Sequence, residues 1–178
     1  MDVITGIALA APAGLNAYIP LLAVAVGERM GWITLRAPFD VLGEWWMTAL
    51  IAVLLVVEVV ADKVPAVDSI NDTVQSVVRP AVGGLLAVAT TGAGEVAPVV
   101  LVVAGVLLAG GVHAAKASAR PALNVATAGT AAPVASTAED IVSAGLTVLA
   151  FLVPVLVVLA AIALIVAVAW LVLRRRAS

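Results

Sequence analysis

No cysteine occurs in this chain of 178 residues, which excludes disulfides, thiolate metal sites and cysteine nucleophiles. There is one histidine, His113, so no multi-histidine metal site can form within a single chain. Charge is scarce too. Charged residues make up 11% of the sequence against 64% hydrophobic, and the mean hydropathy is +1.23. A soluble domain is about half apolar and about a quarter charged. This chain cannot cover itself with polar surface, and the lipid bilayer is the solvent its composition requires. The net charge is −2 and the basic residues are scattered, which argues against nucleic acid as a partner. A phosphate-binding glycine loop, a zinc motif and a defensible serine–histidine–acid order are all missing, so neither an enzyme nor a cofactor is expected.

What is there is apolar sequence in long runs. A helix crossing a core of about 30 Å needs roughly 20 apolar residues. Five segments meet or approach this: about 4–27, 45–62, 70–90, 96–117 and 137–173. The start lacks a basic region and opens with Asp2, so 4–27 reads as the first membrane segment and not as a signal peptide. It is interrupted by Pro12, Gly14, Asn16 and Pro20. Trp45 and Trp46 suit a headgroup belt. The last segment would reach roughly 55 Å as one helix. A single helix kinked at Pro154 is the favoured reading; a chain reversal in Phe151-Leu-Val-Pro154, adding a sixth segment, is the alternative. The fold class is an all-α transmembrane bundle of about five spans in one domain, its first and last helices broken or kinked at proline. Five spans put the termini on opposite sides. Arg174, Arg175 and Arg176 then mark a cytoplasmic C-terminus in the plasma (inner) membrane, with the 28–44 loop on that same side.

Lys63-Val-Pro-Ala-Val-Asp-Ser69 and Ala119-Arg-Pro-Ala-Leu-Asn-Val125 are alike, which suggests two similar hairpins. Each is followed by a capping pattern, Ser69 to Asp72 and Ser136 to Glu139.

Several residues are candidates for chemistry. Glu58 and Asp62 share a helical face, and Glu58 stands among aliphatic neighbours. A charge at that depth costs roughly 2.5–3.5 kcal/mol, so it should meet a partner or a watery cavity. Lys63 and Arg79 are the nearest cations in sequence. Arg79 either snorkels to headgroups or turns inward to Glu58 or Asp62, while Gly83 and Gly84 allow a close helix neighbour. Asp68 and Asp72 form a second acidic pair, read either as site or as interfacial loop. Their spacing lacks the compactness that would specify a divalent cation. His113, Lys116 and Arg120 give one basic face, suited to an interfacial helix end, an anion or phosphate headgroup, or a proton-responsive site. Asn16 and Tyr18 sit between two prolines, and broken helices mark binding sites in transporters. Asn124 opens a small polar stretch to Pro133, a loop or re-entrant turn. Capping explains Glu139 and leaves Asp140 over.

The stretches GLNAYIPLLAVAV, EVVADKVPAVDSINDTVQSVVRPAVGGLL and HAAKASARPALN together resemble a family of small bacterial integral membrane proteins filed as domain of unknown function 4126. The resemblance covers nearly the whole chain and implies a membrane fold, without an activity. A transporter or channel for a small ion or an anionic, phosphate-bearing solute is the first expectation. An accessory protein binding lipid or a partner subunit is the second. A homodimer is expected, since five thin helices enclose little room.

Overall fold

In the computed structural model every regular element is helical among the described residues, which are 2–62, 65–92, 96–127 and 130–177; the side chains of 65–70, 72, 121–126 and 175–177 lie outside the description. The order is α1 (Val3–Ala8), α2 (Ala10–Ala13), α3 (Tyr18–Arg29), a 3-10 turn (Phe39–Gly43), α4 (Trp45–Ala61), α5 (Pro65–Ala89), α6 (Pro98–Thr127), α7 (Ala132–Leu152) and α8 (Pro154–Ala177). Three helices, α6, α7 and α8, are long and apolar enough to cross a membrane, and α4 and the Thr73–Ala89 part of α5 are shorter apolar helices beside them. Lipid-facing valines and leucines such as Val56, Val77, Val103, Leu107 and Leu159 are more than half exposed, as a bundle solvated by acyl chains requires.

The first apolar segment does not cross. Gly6 packs on Ala87, Thr90 and Thr91 at the end of α5. The chain then descends to Asn16, whose side chain reaches Asp140. After α3 it is back where it began, because the Arg36 N–H donates to the Ala89 carbonyl at 2.9 Å. Val3–Ala13 and Tyr18–Arg29 are each about 16–18 Å long, half the hydrocarbon thickness. They are the two arms of a re-entrant hairpin with its tip at 14–17. Asp2 starts the first arm by accepting from the Thr5 N–H at 2.8 Å.

The final segment is broken in two at Pro154. Val142 and Leu146 of α7 share one cavity of about 120 Å³ with Val157, Ala160, Ala161 and Leu164 of α8. In a continuous helix Val142 and Leu164 would be about 33 Å apart, so the chain reverses at Val153 and is not merely kinked. The reversal needs no glycine. Val153 takes φ −143° and ψ 65° while its N–H still bonds Leu149 O at 2.7 Å. Pro154 then begins α8, where a residue without an N–H leaves nothing unpaired.

The two departures compensate. The hairpin returns the chain to its starting end and the reversal adds one antiparallel helix, so α4 to α8 alternate in direction and the termini remain at opposite ends. The 30–44 connection, however, lies at the N-terminal end, opposite the C-terminus, and not beside it as expected from a straight first span. The α4–α5 and α6–α7 connections share the C-terminal end. Tryptophans mark both ends: Trp32, Trp45 and Trp46 at one, and Trp170, with Arg174 stacked 5.1 Å above its ring, at the other.

α5 and α6 form the spine. At their crossing a Cβ on Gly83 would collide with Ala109, and one on Gly105 would collide with the Gly83 backbone, so only glycine permits this approach. Gly14 brings the hairpin tip onto α6 in the same way, its would-be Cβ lying 2.7 Å from Val112 Cβ.

The native chain has no cysteine, so single-cysteine labelling reads its topology directly. A cysteine placed before Met1 and Met30→Cys will react with an impermeant maleimide from one face of the membrane, and a cysteine placed after Ser178 from the other. Labelling of the first two from opposite faces would restore a straight first span.

Candidate functional site

The hairpin tip brings non-helical backbone into the apolar interior, where each polar group has to find a partner within the protein. Asn16 is 1% exposed. Its Oδ1 accepts from the N–H groups of Tyr18 and Ile19, at 3.0 and 3.1 Å, and so caps α3. Its Nδ2 donates to Asp140 Oδ1 at 2.9 Å. Two carbonyls of the tip also accept from side chains, Pro12 O in addition to the Leu15 and Asn16 N–H groups. Ser143 Oγ donates to Pro12 O at 3.0 Å, and Lys116 Nζ to Leu15 O at 3.3 Å. The tip is thus fastened to α6 and α7 by side chains, and those side chains carry charge.

Behind the tip stands Arg79, fully buried. It lies ten residues below Ala89, about 15 Å into the bundle. Snorkelling is therefore excluded; the guanidinium turns inward. Nη2 donates to Glu58 Oε1 at 3.0 Å and stands 3.8 Å from Asp62 Oδ2. Nη1 meets His113 Nδ1 at 3.1 Å. A guanidinium has donors only, so Nδ1 is the acceptor and carries no proton in this arrangement. Glu58 and Asp62 are 2% and 4% exposed and project from one face of α4, as their spacing dictates. Asp62 is further held by Asn71 Nδ2 at 2.5 Å and by Ser136 Oγ at 3.5 Å.

A second cluster adjoins the tip. Glu139 Oε2 accepts Lys116 Nζ at 2.8 Å and Arg120 Nη2 at 3.1 Å. Glu139 is consequently not a helix cap. α7 opens earlier, at Ala132, with proline in its first turn, so Ser136 is already inside the helix and its hydroxyl serves Asp62. Similarly, Ser69 falls within α5 and not at its start.

The structure therefore unites Glu58, Asp62, Arg79 and His113 in one network, Lys116, Arg120 and Glu139 in a second, and Asn16 with Asp140 in a third contact linking the tip to α7. Lys63 lies outside the described residues, as do the side chains of Asp68, Asp72 and Asn124. Asn124 belongs to the backbone of α6, which runs on to Thr127, so the expected loop shrinks to the residues between α6 and α7. No group of three or more metal-ligating side chains occurs among the described residues.

Sequence reasoning missed Gln75, Asn71 and Ser143, and took Ser136, which serves Asp62, for a helix cap. Asn71, Gln75 and Arg79 recur every four residues, a polar stripe down one face of α5. Ser136, Asp140, Ser143 and Thr147 make a second stripe on α7. Three buried atoms in the network have no hydrogen-bond partner: Glu58 Oε2, Gln75 Oε1 and Arg79 Nε.

Removing one member of a buried pair strands the other. Arg79→Met is expected to destabilise the protein by about 3–5 kcal/mol, measured by denaturant or thermal unfolding in detergent. Arg120→Met leaves Glu139 its nearer partner, Lys116 at 2.8 Å, and will cost less, about 1 kcal/mol. Equal costs would mean that Arg79 is not ionically held.

No curated protein and no solved structure matches the chain. Residues 3–174 match the family described as "Domain of unknown function (DUF4126)". The match takes in the hairpin, α4 to α7, most of α8 and every charged side chain of the networks, and the chain belongs to that family.

Proposed function

We propose that this membrane protein is a small transporter in which the re-entrant tip and the Arg79-centred network form the site for a small ion. One observation carries the reading: a broken, half-depth hairpin ends against ionisable side chains from α4, α5, α6 and α7, all inside a bundle whose outer face is apolar. Intramembrane charge is expensive and is retained where it handles ions, protons or solutes. Discontinuous helices at mid-depth are the usual scaffold for such sites. A purely structural bundle of glycine-packed helices needs neither. The near-complete burial of Glu58 and Arg79 corresponds to an occluded conformation, in which access from each side requires the tip or its neighbours to move.

Arginines are unequally shared between the two ends. Arg29 and Arg36 lie at the N-terminal end, and Arg120 with Arg174, Arg175 and Arg176 at the other. By the positive-inside rule we place the C-terminus in the cytoplasm of a cell whose plasma (inner) membrane holds the protein.

The test is flux in proteoliposomes over a panel of inorganic cations, inorganic anions and phosphate-bearing solutes. Wild-type protein will move at least one of them, and Glu58→Gln and Arg79→Lys will reduce that flux to the rate of protein-free liposomes while eluting as folded protein on size exclusion. Absence of flux for every solute, or flux indifferent to both variants, would replace this reading with that of an accessory membrane protein.

A further inference from the structure

Glu58 differs from the other acids around it. Both oxygens of Asp62 have neighbours, Glu139 gathers two cations and Asp140 accepts from Asn16. Glu58 gives Oε1 to Arg79, while Oε2 is buried without a partner. Gln75 Oε1, 2% exposed on the residue one turn from Arg79, is in the same position. Both orphans are acceptors. Buried acceptors without donors are costly, and one proton on a carboxylate turns an acceptor into a donor. Arg79 is equally unsettled. Its Nη2 has Glu58 at 3.0 Å and Asp62, one helical turn further on, at 3.8 Å, and its Nε is unpartnered.

We propose that Glu58 takes up and releases a proton, bound at Oε2, and that protonation passes Arg79 from Glu58 to Asp62. No bond other than O–H forms or breaks. The guanidinium keeps its charge and exchanges one carboxylate for another less than 1 Å farther away. This names the proton as an ion handled by the site proposed above, and it rests on that reading only for its consequence in flux.

The groups facing Glu58 define the balance. Asp62 is on its own helix, Arg79 is on α5, Lys116 is on α6 and the Tyr18 hydroxyl, hydrogen-bonded to Gln75, is on α3. From α7, Ser136 and Glu139 act one step removed, through Asp62 and Lys116. His113 cannot be the first proton acceptor at Nδ1 without setting two donors against each other at 3.1 Å. The carboxylate is left as the place for the proton.

Infrared titration of the full chain in lipid films tests this without transport. As pH is lowered, the carbonyl stretch of a protonated, buried carboxylic acid will grow in, and it will move when glutamate alone is 13C-labelled. It will be lost in Glu58→Gln. In Asp62→Asn, Arg79 has no second carboxylate to accept it, so the band will appear only at lower pH than in wild type. A band that follows aspartate labelling, survives Glu58→Gln or never forms overturns the proton site. An unchanged or raised midpoint in Asp62→Asn overturns the hand-over. Glutamate labelling needs no variant, so misfolding of Glu58→Gln leaves the result readable. A band without flux sinks the carrier reading and keeps the proton site; flux without a band does the reverse.

Discussion

A charge carried into hydrocarbon has to bring its counter-charge with it, and in this bundle the bond between Arg79 and Glu58 is where that happens. It joins α4 to α5 with both side chains buried from solvent. Its low dielectric surroundings make the attraction strong and the loss of either partner severe. His113 meets the second terminal nitrogen of the guanidinium, Asp62 stands near the first, and Nε is left without a partner; α6 is drawn in through His113. The glycines at the α5–α6 crossing make this geometry accessible, since the two backbones must nearly touch for side chains from three helices to converge on one arginine.

The re-entrant hairpin depends on the same network from the other side. A turn at mid-membrane survives only if its carbonyls and N–H groups are answered within the protein. Lys116, Ser143 and Asn16 answer them, and two of the three are in turn tied to acids, Glu139 and Asp140. The position of the tip and the arrangement of charge are therefore one structural unit. A change in pairing among the charged groups acts directly on the backbone of the tip, which is the physical link that the proposed transport requires between ion binding and access.

Much of this was legible in the chain itself. Composition dictates the solvent, and the four-residue step from Glu58 to Asp62 dictates a shared face. The aliphatic run around Glu58 dictates an inward partner, for which Arg79 is the nearest deep cation. The path of the first segment was not legible. An apolar run of this length reads as a crossing whether it continues or turns back, because hydropathy records depth and not direction. Asn16 between two prolines signalled a break, yet only its partners on α6 and α7 define a reversal. The turn at Val153 was hidden for a related reason. Pro154 serves equally as a kink inside a helix or as the first residue of a new one, and no glycine or asparagine distinguishes the two. The caps assigned to Ser69 and Ser136 failed because prolines at 65 and 133 start those helices earlier. Gln75 and Asn71 escaped notice as isolated polar residues, and their meaning lies in their register with Arg79.

The central claim is that Glu58 and Arg79 are an energetically coupled ion pair inside the bilayer. A double-mutant cycle measures it most directly, comparing the unfolding free energies of wild type, Glu58→Gln, Arg79→Met and the double variant in the same bicelles. The account predicts that the double variant is more stable than the sum of the single losses implies, with a coupling of about 0.5–3 kcal/mol. Losses that simply add would show that each charge is accommodated without the other and would contradict the account.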